Sequence, residues 1–304
     1  MIVFAFEAYE AMGAAIRANI PQITPGHFQA SRYENGELHL DVQTPVRNEA
    51  CLVLGSIAPP DERLFSTLLL AHTLKKEGAS SVTAIFPYLA YARHDKDKPG
   101  ESLAAAWAGS IAKASGVDGV ITVDVHSEKT KGLFPIPVVS LSPAQIFAEA
   151  LHRCGLSSAT IVAPDEGAIG RCEAVKIAAG RAPGNTPYFE KRRAEGGILH
   201  SGLIGEAGSQ AVIIDDILDT GGTLLSACER LTAAGVEEIH IMVTHGLFTG
   251  ERWKRLWQLG VKRIFCTDSV AIPAGVEREN IASLSVVPLI ANEFQKMRPG
   301  AYGL

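Results

Sequence analysis

The stretch AVIIDDILDTGGTL concentrates the residue types best suited to chemistry in this sequence. Asp215 and Asp216 end an apolar run, and a third carboxylate, Asp219, leads into Gly221 and Gly222. The two glycines let the backbone turn tightly and approach a ligand, and the amides that open the following helix carry the positive end of its dipole. The pattern predicts a cradle for an anion such as phosphate.

Side chains around this turn can bind more than a phosphate. Thr220 and Thr223 can donate hydroxyl hydrogen bonds to phosphate oxygens, whereas Asp215 and Asp216 are acceptors suited to ribose hydroxyls or to a magnesium ion. In a simpler interpretation Asp219 only caps the helix and the glycines only turn the chain, which leaves the two acids at the strand end unexplained. The sequence contains no GxxxxGK[ST], HExxH or GxSxG motif.

The elements that must position these residues alternate along the chain. Short apolar runs that end in polar turns are separated by helical patterns at 61–77, 102–115 and 143–153. The runs are ACLVLGSI, SVTAIFPYL and GVITVDVH in the first half, and ATIVAPDEG, AVIIDDILD, EIHIMVTHG and RIFCTDS in the second. Such strands predict parallel sheets covered by helices on both faces, with ligands beyond the carboxyl ends of the strands.

A faint duplication divides the chain. GASSVTAIFPY resembles GVEEIHIMVTH, and GVDGVITVD resembles GVKRIFCTD, in the same order in each half. Two such pairs favour tandem related domains. Because the stretch at 135–143 breaks helix propensity, we predict domains at residues 1–140 and 141–289, with residues 290–304 packed on the first.

Composition is that of an ordinary globular protein. The 304 residues are 47% hydrophobic and 20% charged, and the formal net charge of -5 argues against broad contact with nucleic acid or membrane. The five cysteines form no CxxC pair, and the apolar start MIVFAFEAYEAMG has no basic leader. No apolar run reaches the length of a membrane span. We therefore expect a cytoplasmic protein.

The segment VIIDDILDTGGTL resembles the phosphoribosyl-diphosphate-binding loop of type I phosphoribosyltransferases and of ribose-phosphate diphosphokinases. Further segments resemble motifs of the second family in the right order, so the resemblance covers nearly the whole chain. They are SRYENGELHLDV, FPYLAYARHDK, TVDVHSEKTKGLFPIPV, VAPDEGAIGRCEAV, FEKRR, THGLFTG and SVVPLIANEF. The sequence thus resembles the ribose-phosphate diphosphokinase, or phosphoribosyl pyrophosphate synthetase, family.

This resemblance implies two tandem phosphoribosyltransferase-type domains, each a mainly parallel sheet flanked by helices. It places ATP on residues 1–140 and ribose 5-phosphate on residues 141–289. The implied reaction transfers the diphosphoryl group of Mg-ATP to the 1-hydroxyl of ribose 5-phosphate, and yields 5-phosphoribosyl 1-diphosphate and AMP. Such chemistry depends on positioning and charge neutralisation, with Mg2+ as the cofactor.

The resemblance also implies roles for particular residues. His126 and Asp165 correspond to metal-associated residues, and Lys191 and Arg193, with His126, form the implied catalytic set. The implied ribose 5-phosphate-binding residues are Asp215, Asp216, Asp219, Thr220, Gly221, Gly222 and Thr223, and the implied ATP-binding residues are Tyr33, Asn35, Glu37, Arg93 and Asp95. Taken alone, a strand-end histidine is more often a structural donor, Asp165 a helix cap, and a basic run a solvated turn.

The ATP site implied by the family is shared between subunits, because the RYENGE hairpin reaches across from a neighbour. A homo-oligomer, either a dimer or a dimer-based hexamer, is therefore expected. Two positions depart from the family pattern: Asn35 stands where Asp is usual, and His94 stands where Gln is usual. Asparagine can donate where aspartate only accepts, so Asn35 can change the adenine contacts.

Two other functions fit parts of the pattern. A base-specific phosphoribosyltransferase consumes phosphoribosyl diphosphate, but usually needs one such domain and a hood, which disagrees with the tandem match. A non-catalytic homologue that regulates true synthetases should lack the loop lysine or the metal histidine, whereas Lys191 and His126 are both present. The diphosphokinase is therefore the favoured function.

Overall fold

A computed structural model of the protein describes the backbone of residues 1–194 and 197–296. It describes the side chains of residues 1–190 and 202–296. The chain forms two compact units. One comprises Met1–Leu141 together with the chain from Val287 on, and the other comprises Ser142–Val286. Within the described ranges, no helix is both long enough and apolar enough to cross a membrane.

The first unit is built on a parallel sheet. The strands of this unit are β1 (Ile2–Ala5), β2 (Thr24–Pro25), β3 (Phe28–Arg32), β4 (Leu38–Val42), β5 (Ala50–Leu54), β6 (Ser81–Phe86), β7 (Gly119–Val123) and β8 (Val138–Leu141). Its first helices are α1 (Glu10–Asn19), α2 (Glu62–Lys76), α3 (Ala104–Ala114) and α4 (Glu128–Leu133). The sheet order is β2-β1-β5-β6-β7-β8, and β6 and β7 are buried along their whole length, as a sheet covered on both faces requires.

A hairpin of β3 and β4 lies outside this sheet. The two strands pair antiparallel, from Phe28 opposite Val42 to Arg32 opposite Leu38. Most of their residues are exposed, but the Phe28 ring packs edge-on against the ring of Phe6 at 5.0 Å between centroids. The hairpin is thus anchored at its base, and its tip projects into solvent.

The second unit repeats the architecture. Its elements are α5 (Ala144–Arg153), β9 (Thr160–Val162), α6 (Ile169–Ala178), β10 (Tyr188–Ala194), β11 (Gly197–Ile204), β12 (Gln210–Leu218), α7 (Gly222–Ala233), β13 (Glu238–Gly246), β14 (Val261–Thr267) and β15 (Ile281–Leu284), with a 3-10 helix at Arg252–Leu259 before β14. The parallel sheet has the order β15-β14-β13-β12-β9, and β10 pairs antiparallel with β11 as a separate arm. A last helix, α8 (Val287–Lys296), packs on α1 and β8 of the first unit.

The two sheets have matching strand orders. The series β1, β5, β6, β7, β8 lies side by side in the first unit, and β9, β12, β13, β14, β15 does so in the second. Details repeat as well: the amide of Asp124 donates to the Leu141 carbonyl at 2.9 Å, and the amide of Asp268 donates to the Leu284 carbonyl at 2.9 Å. The prediction of tandem α/β domains of the phosphoribosyltransferase type, with parallel sheets flanked by helices, is confirmed.

Candidate functional site

Two carboxylates stand near the carboxyl end of β12. Asp216 is 6% exposed, and Asp215 is partly buried and accepts a hydrogen bond from the Asp216 amide at 2.9 Å. Burial, followed by the charge of Asp216, raises the pKa of the Asp215 carboxyl well above its usual range, although the nearby Arg171 opposes the shift. Ionisation of Asp215 is therefore disfavoured until a cation or a hydrogen-bond donor approaches, at the place where ligands of parallel sheets bind.

The turn after these carboxylates leads straight into α7. Gly221 is the N-cap of α7, has a left-handed φ of +83° and brings no side chain to the helix start. A Cβ on Gly221 would lie 2.9 Å from both Cα and Cβ of Trp253, so only glycine fits there. Asp219 therefore does not occupy the N-cap position that the simpler interpretation gave it, and the α7 amides open towards the space beyond β12, where an anion can bind.

The back of this turn is held by the segment that follows β13. The amides of Leu247 and Phe248 donate to the Leu218 carbonyl at 2.8 and 3.1 Å, and the Thr249 amide donates to the Asp219 carbonyl at 3.1 Å. These bonds occupy the carbonyls of the turn from behind. The turn is consequently preorganised, which lowers the cost of ordering it when a ligand binds.

Asp165 lies on the neighbouring strand's side of the site. β9 pairs parallel with β12, with Val162 opposite Ile213. Asp165 comes shortly after β9 and therefore lies towards the same end of the sheet as the β12 carboxylates. Asp165 occupies the N-cap position of a short 3-10 helix, but its side chain makes no cap hydrogen bond. Its charge also acts to raise the pKa of the Asp215 carboxyl. The helix-cap interpretation of Asp165 therefore explains its backbone position but not its carboxylate.

This donor set suits a hard divalent cation. Oxygen ligands are what Mg2+ prefers, and Mg2+ is usually bound through one or two carboxylates together with substrate phosphates. Where side chains are described, in residues 1–190 and 202–296, no three His, Cys, Asp or Glu side chains form a cluster able to hold a metal. Asp215 is costly to ionise without a cation, and the described acids near it are too few to enclose one, which fits a metal that arrives with a phosphate ligand.

A second predicted set lies at the strand ends of the first unit. Ser127, which follows His126, donates its hydroxyl to Asp95 Oδ2 at 2.5 Å, and Thr130 Oγ1 donates to the Ala92 carbonyl at 3.2 Å. These bonds join the loop after β6 to the start of α4. The structure thereby places Asp95 beside the segment that carries His126, with the exposed Arg93 on the same loop.

The tip of the β3–β4 hairpin carries the remaining predicted residues. Asn35 Oδ1 accepts a hydrogen bond from the Glu37 amide at 3.1 Å, and Tyr33 is 57% exposed. An aspartate could accept the same bond, so Asn35 preserves the loop that the family residue would form. Asn35 differs from aspartate at its other side-chain atom, where an uncharged amide nitrogen replaces a charged oxygen.

The arm that carries Lys191 and Arg193 has a well-anchored base. Lys176 is buried and its ammonium donates to Glu173 Oε1 at 3.2 Å, to the Gly184 carbonyl and to Thr186 Oγ1, while Glu173 Oε2 accepts the Gly184 amide at 2.5 Å. Both predicted cations have their backbone in β10, and their side chains lie outside the described residues. The catalytic roles of Lys191 and Arg193 therefore stay predictions.

The sequence patterns did not indicate two residues that lie near the end of β12 and the turn at 219–223. Arg171 faces Asp215 from α6, and Trp253 closes the space beside Gly221. THGLFTG marks the neighbourhood of Trp253, but nothing in the sequence connects that motif to the turn. Their proximity follows from the pairing of β12 with β13.

Comparison with known families agrees with this arrangement. A model of the N-terminal domain of ribose phosphate pyrophosphokinase matches residues 1–116, and a model of the phosphoribosyl transferase domain matches residues 133–279. The solved structure of phosphoribosylpyrophosphate synthetase from Mycobacterium smegmatis has the same fold, with a TM-score of 0.84 over 97% of both chains at 24% identity.

Full-length relatives extend the match through both units. Ribose-phosphate pyrophosphokinase from Bacillus caldolyticus is 29% identical over 284 residues, covering 92% of this chain and 89% of the relative. The enzyme of that name from Streptomyces avermitilis is 31% identical over 276 residues, covering 88% of this chain and 84% of the relative. Because two successive family models and these relatives cover both sheets and the motifs at their strand ends, the chain belongs to the ribose-phosphate pyrophosphokinase family.

Proposed function

We propose that this protein transfers the diphosphoryl group of Mg-ATP to the 1-hydroxyl of ribose 5-phosphate. The products are 5-phosphoribosyl 1-diphosphate and AMP. The observation that carries the proposal is the glycine N-cap of α7 shortly after Asp215 and Asp216, in a chain of this family. That arrangement offers a phosphate site and acceptors for sugar hydroxyls within one turn.

The sugar phosphate is bound by the second unit. The opening amides of α7 and the hydroxyls of Thr220 and Thr223 contact the 5-phosphate, and Gly221 and Gly222 let the backbone approach it. Asp215 and Asp216 accept hydrogen bonds from the ribose hydroxyls, and Asp219 lines the same turn. This division explains why acids and phosphate-binding groups adjoin, since the ligand itself carries both hydroxyls and phosphate.

The nucleotide is bound through the first unit. Arg93 and Asp95 contact ATP, and Tyr33, Asn35 and Glu37 contribute from the hairpin of a neighbouring subunit in a homo-oligomer. The exposed tip of that hairpin supports this role. His126 of the first unit and Asp165 of the second would each be a ligand for Mg2+ that arrives with substrate phosphate. When bound, Mg2+ neutralises phosphate charge and so favours attack on phosphorus.

Chemistry then depends on positioning. The 1-hydroxyl oxygen forms a bond to the β-phosphorus as the bond to the α,β-bridging oxygen breaks, so AMP leaves and the hydroxyl proton is released. Lys191 and Arg193 stabilise the charge that develops on the transferred group. No redox step or covalent enzyme intermediate is required.

A product assay tests the proposal. Purified protein is incubated with ATP, Mg2+ and ribose 5-phosphate, and the nucleotides are separated by chromatography. We expect AMP and 5-phosphoribosyl 1-diphosphate in equal amounts, and no AMP when ribose 5-phosphate is omitted. Formation of ADP instead, or consumption of added 5-phosphoribosyl 1-diphosphate with a nucleobase, would show a different transferase. Absence of any turnover would favour a regulatory homologue.

A further inference from the structure

A guanidinium lies beside the turn at 219–223 and belongs to none of the predicted catalytic, substrate-binding or metal-binding residues. Arg252 opens the 3-10 helix at Arg252–Leu259. Its Nη1 and Cζ atoms lie 3.7 and 3.9 Å from the position that a Cβ on Gly222 would occupy. Gly222 is the first residue of α7, so the cation stands at the helix's N-terminus.

The position of Arg252 is set by its neighbour. Trp253 is 2% exposed and packs edge-on against Phe248, with 4.9 Å between ring centroids, and its backbone abuts Gly221. Trp253 Nε1 also donates to the Gly250 carbonyl at 3.0 Å. The main chain next to Arg252 is therefore fixed against the turn, while the Arg252 side chain itself is exposed.

Charge makes this placement unfavourable without a ligand. A helix N-terminus carries partial positive charge, so a cation beside it is repelled. The adjacent carboxylate does not compensate, because Glu251 pairs with Lys254 at 2.5 Å. Among the side chains that the structure describes, those of residues 1–190 and 202–296, none forms an ion pair with Arg252. Two positive features thus converge on one space, and an anion between them would satisfy both.

We infer that Arg252 is an additional binding residue for the phosphate group of the sugar substrate. The inference rests on the proposed function, since the turn at 219–223 must be the site of that phosphate. The guanidinium donates charge-assisted hydrogen bonds to phosphate oxygens from the side opposite the α7 amides. It contacts a group that does not react, so it contributes equally to the ground state and to the transition state.

Calorimetry and kinetics on four proteins test this role. Ribose 5-phosphate is titrated into the wild type, Arg252→Ala, Arg252→Lys and a control, Arg230→Ala. The control removes an exposed arginine from the last turn of α7. We expect Arg252→Ala to weaken binding about tenfold, as for loss of one charge-assisted hydrogen bond, and Arg252→Lys to recover part of it. The KM for ribose 5-phosphate should rise similarly, with kcat and the KM for ATP unchanged.

Other outcomes separate the possibilities. A structural role would lower the Tm of ligand-free Arg252→Ala, whereas relief of repulsion leaves the Tm unchanged or raises it. Wild-type affinity in Arg252→Ala, or an equal loss in Arg230→Ala, overturns the inference. If the wild type makes no AMP but Arg252→Ala still weakens ribose 5-phosphate binding, the proposed reaction fails and the Arg252 site stands. If the wild type binds no ribose 5-phosphate, both fail.

Discussion

At the scale of single residues, the β12 carboxylates show how a binding site can cost stability. Asp215 and Asp216 are adjacent in sequence, and burial and mutual repulsion raise the pKa of the Asp215 carboxyl. A carboxyl with a raised folded-state pKa binds more protons folded than unfolded, so its contribution to stability falls as the pH rises. The ionised acid therefore destabilises the fold, and we propose that it is retained for a ligand.

Replacement of Asp215 should stabilise the ligand-free protein while weakening ribose 5-phosphate binding. At pH 7.5 we expect Asp215→Asn to raise the free energy of unfolding by about 1 kcal/mol, because it removes a buried charge. The gain should shrink towards pH 4.5, where the wild-type carboxyl takes up its proton. Denaturant unfolding at both pH values measures the effect, with Glu229→Gln on the exposed face of α7 as the control. A less stable Asp215→Asn at pH 7.5 would contradict the argument.

Lys191 offers a test of transition-state stabilisation. We expect Lys191→Ala to lower kcat about 100- to 1000-fold, or some 3 to 4 kcal/mol, with little change in either KM, because the charge it neutralises develops during the reaction. Lys191→Arg should recover little, since a planar fork cannot replace a point charge. Arg192→Ala serves as the charge-matched neighbour. An unchanged kcat with a raised KM for ATP would make Lys191 a binding residue instead.

At the scale of elements, the joint between β12 and α7 depends on a contact from elsewhere in the unit. Gly221 takes a left-handed φ, as glycine allows, but Trp253 also excludes any side chain there. Gly235, just past the other end of α7, has a similar φ of +88°, and no atom lies within 4 Å of the position that a Cβ would occupy there. The two glycines share a backbone requirement and differ in packing.

Alanine substitutions at Gly221 and Gly235 separate the contribution of packing to stability from that of backbone strain. Gly235→Ala should cost about 1 to 2 kcal/mol of unfolding free energy from left-handed strain alone. Gly221→Ala should cost about 1 to 3 kcal/mol more, because the methyl group must displace Trp253. Urea unfolding of both variants gives the difference, and ribose 5-phosphate affinity should fall only for Gly221→Ala. Equal stability losses would mean that Trp253 yields without cost.

At the scale of the whole molecule, the duplicated sheet order explains how one chain can bind two substrates. The β3–β4 hairpin and the loop after β6 carry the proposed nucleotide residues, and the end of β12 and the turn after it carry the proposed sugar residues. The proposed metal residues follow β7 in the first unit and β9 in the second. The exposed β3–β4 hairpin of the first unit and the β10–β11 arm of the second unit are both antiparallel pairs outside the parallel sheets. The hairpin is the feature through which we propose that a second subunit completes the nucleotide site.

Complementation between variants tests the shared site. Glu37→Ala and Asp216→Ala should each be inactive alone, whereas co-expressed chains should regain about a quarter of wild-type activity, the statistical share for a symmetric dimer. Mixing Lys191→Ala with Asp216→Ala is the control, because both residues belong to the same unit and no intact site can form. Recovery in the control, or full activity in a verified monomer, would contradict the shared site.

Local patterns in the sequence determined much of this protein. The helix predicted at 61–77 spans Glu62–Lys76, and the one predicted at 143–153 spans Ala144–Arg153. The strand, turn and helix of the DDILDTGGT motif were likewise predictable, because hydrophobic periodicity and glycine content act over a few residues. The family followed from the order of such motifs.

Tertiary structure decided what lies around those motifs. Only the fold shows that Gly221 occupies the N-cap position of α7 and that Trp253 fills the space beside it. It also shows that Arg252 reaches Gly222 from thirty positions further along the chain. Likewise, Lys176 meets Thr186 only because the chain returns past α6. Contacts of this kind arise when parallel strands bring distant loops to one edge of a sheet, and no local pattern in the sequence encodes that proximity.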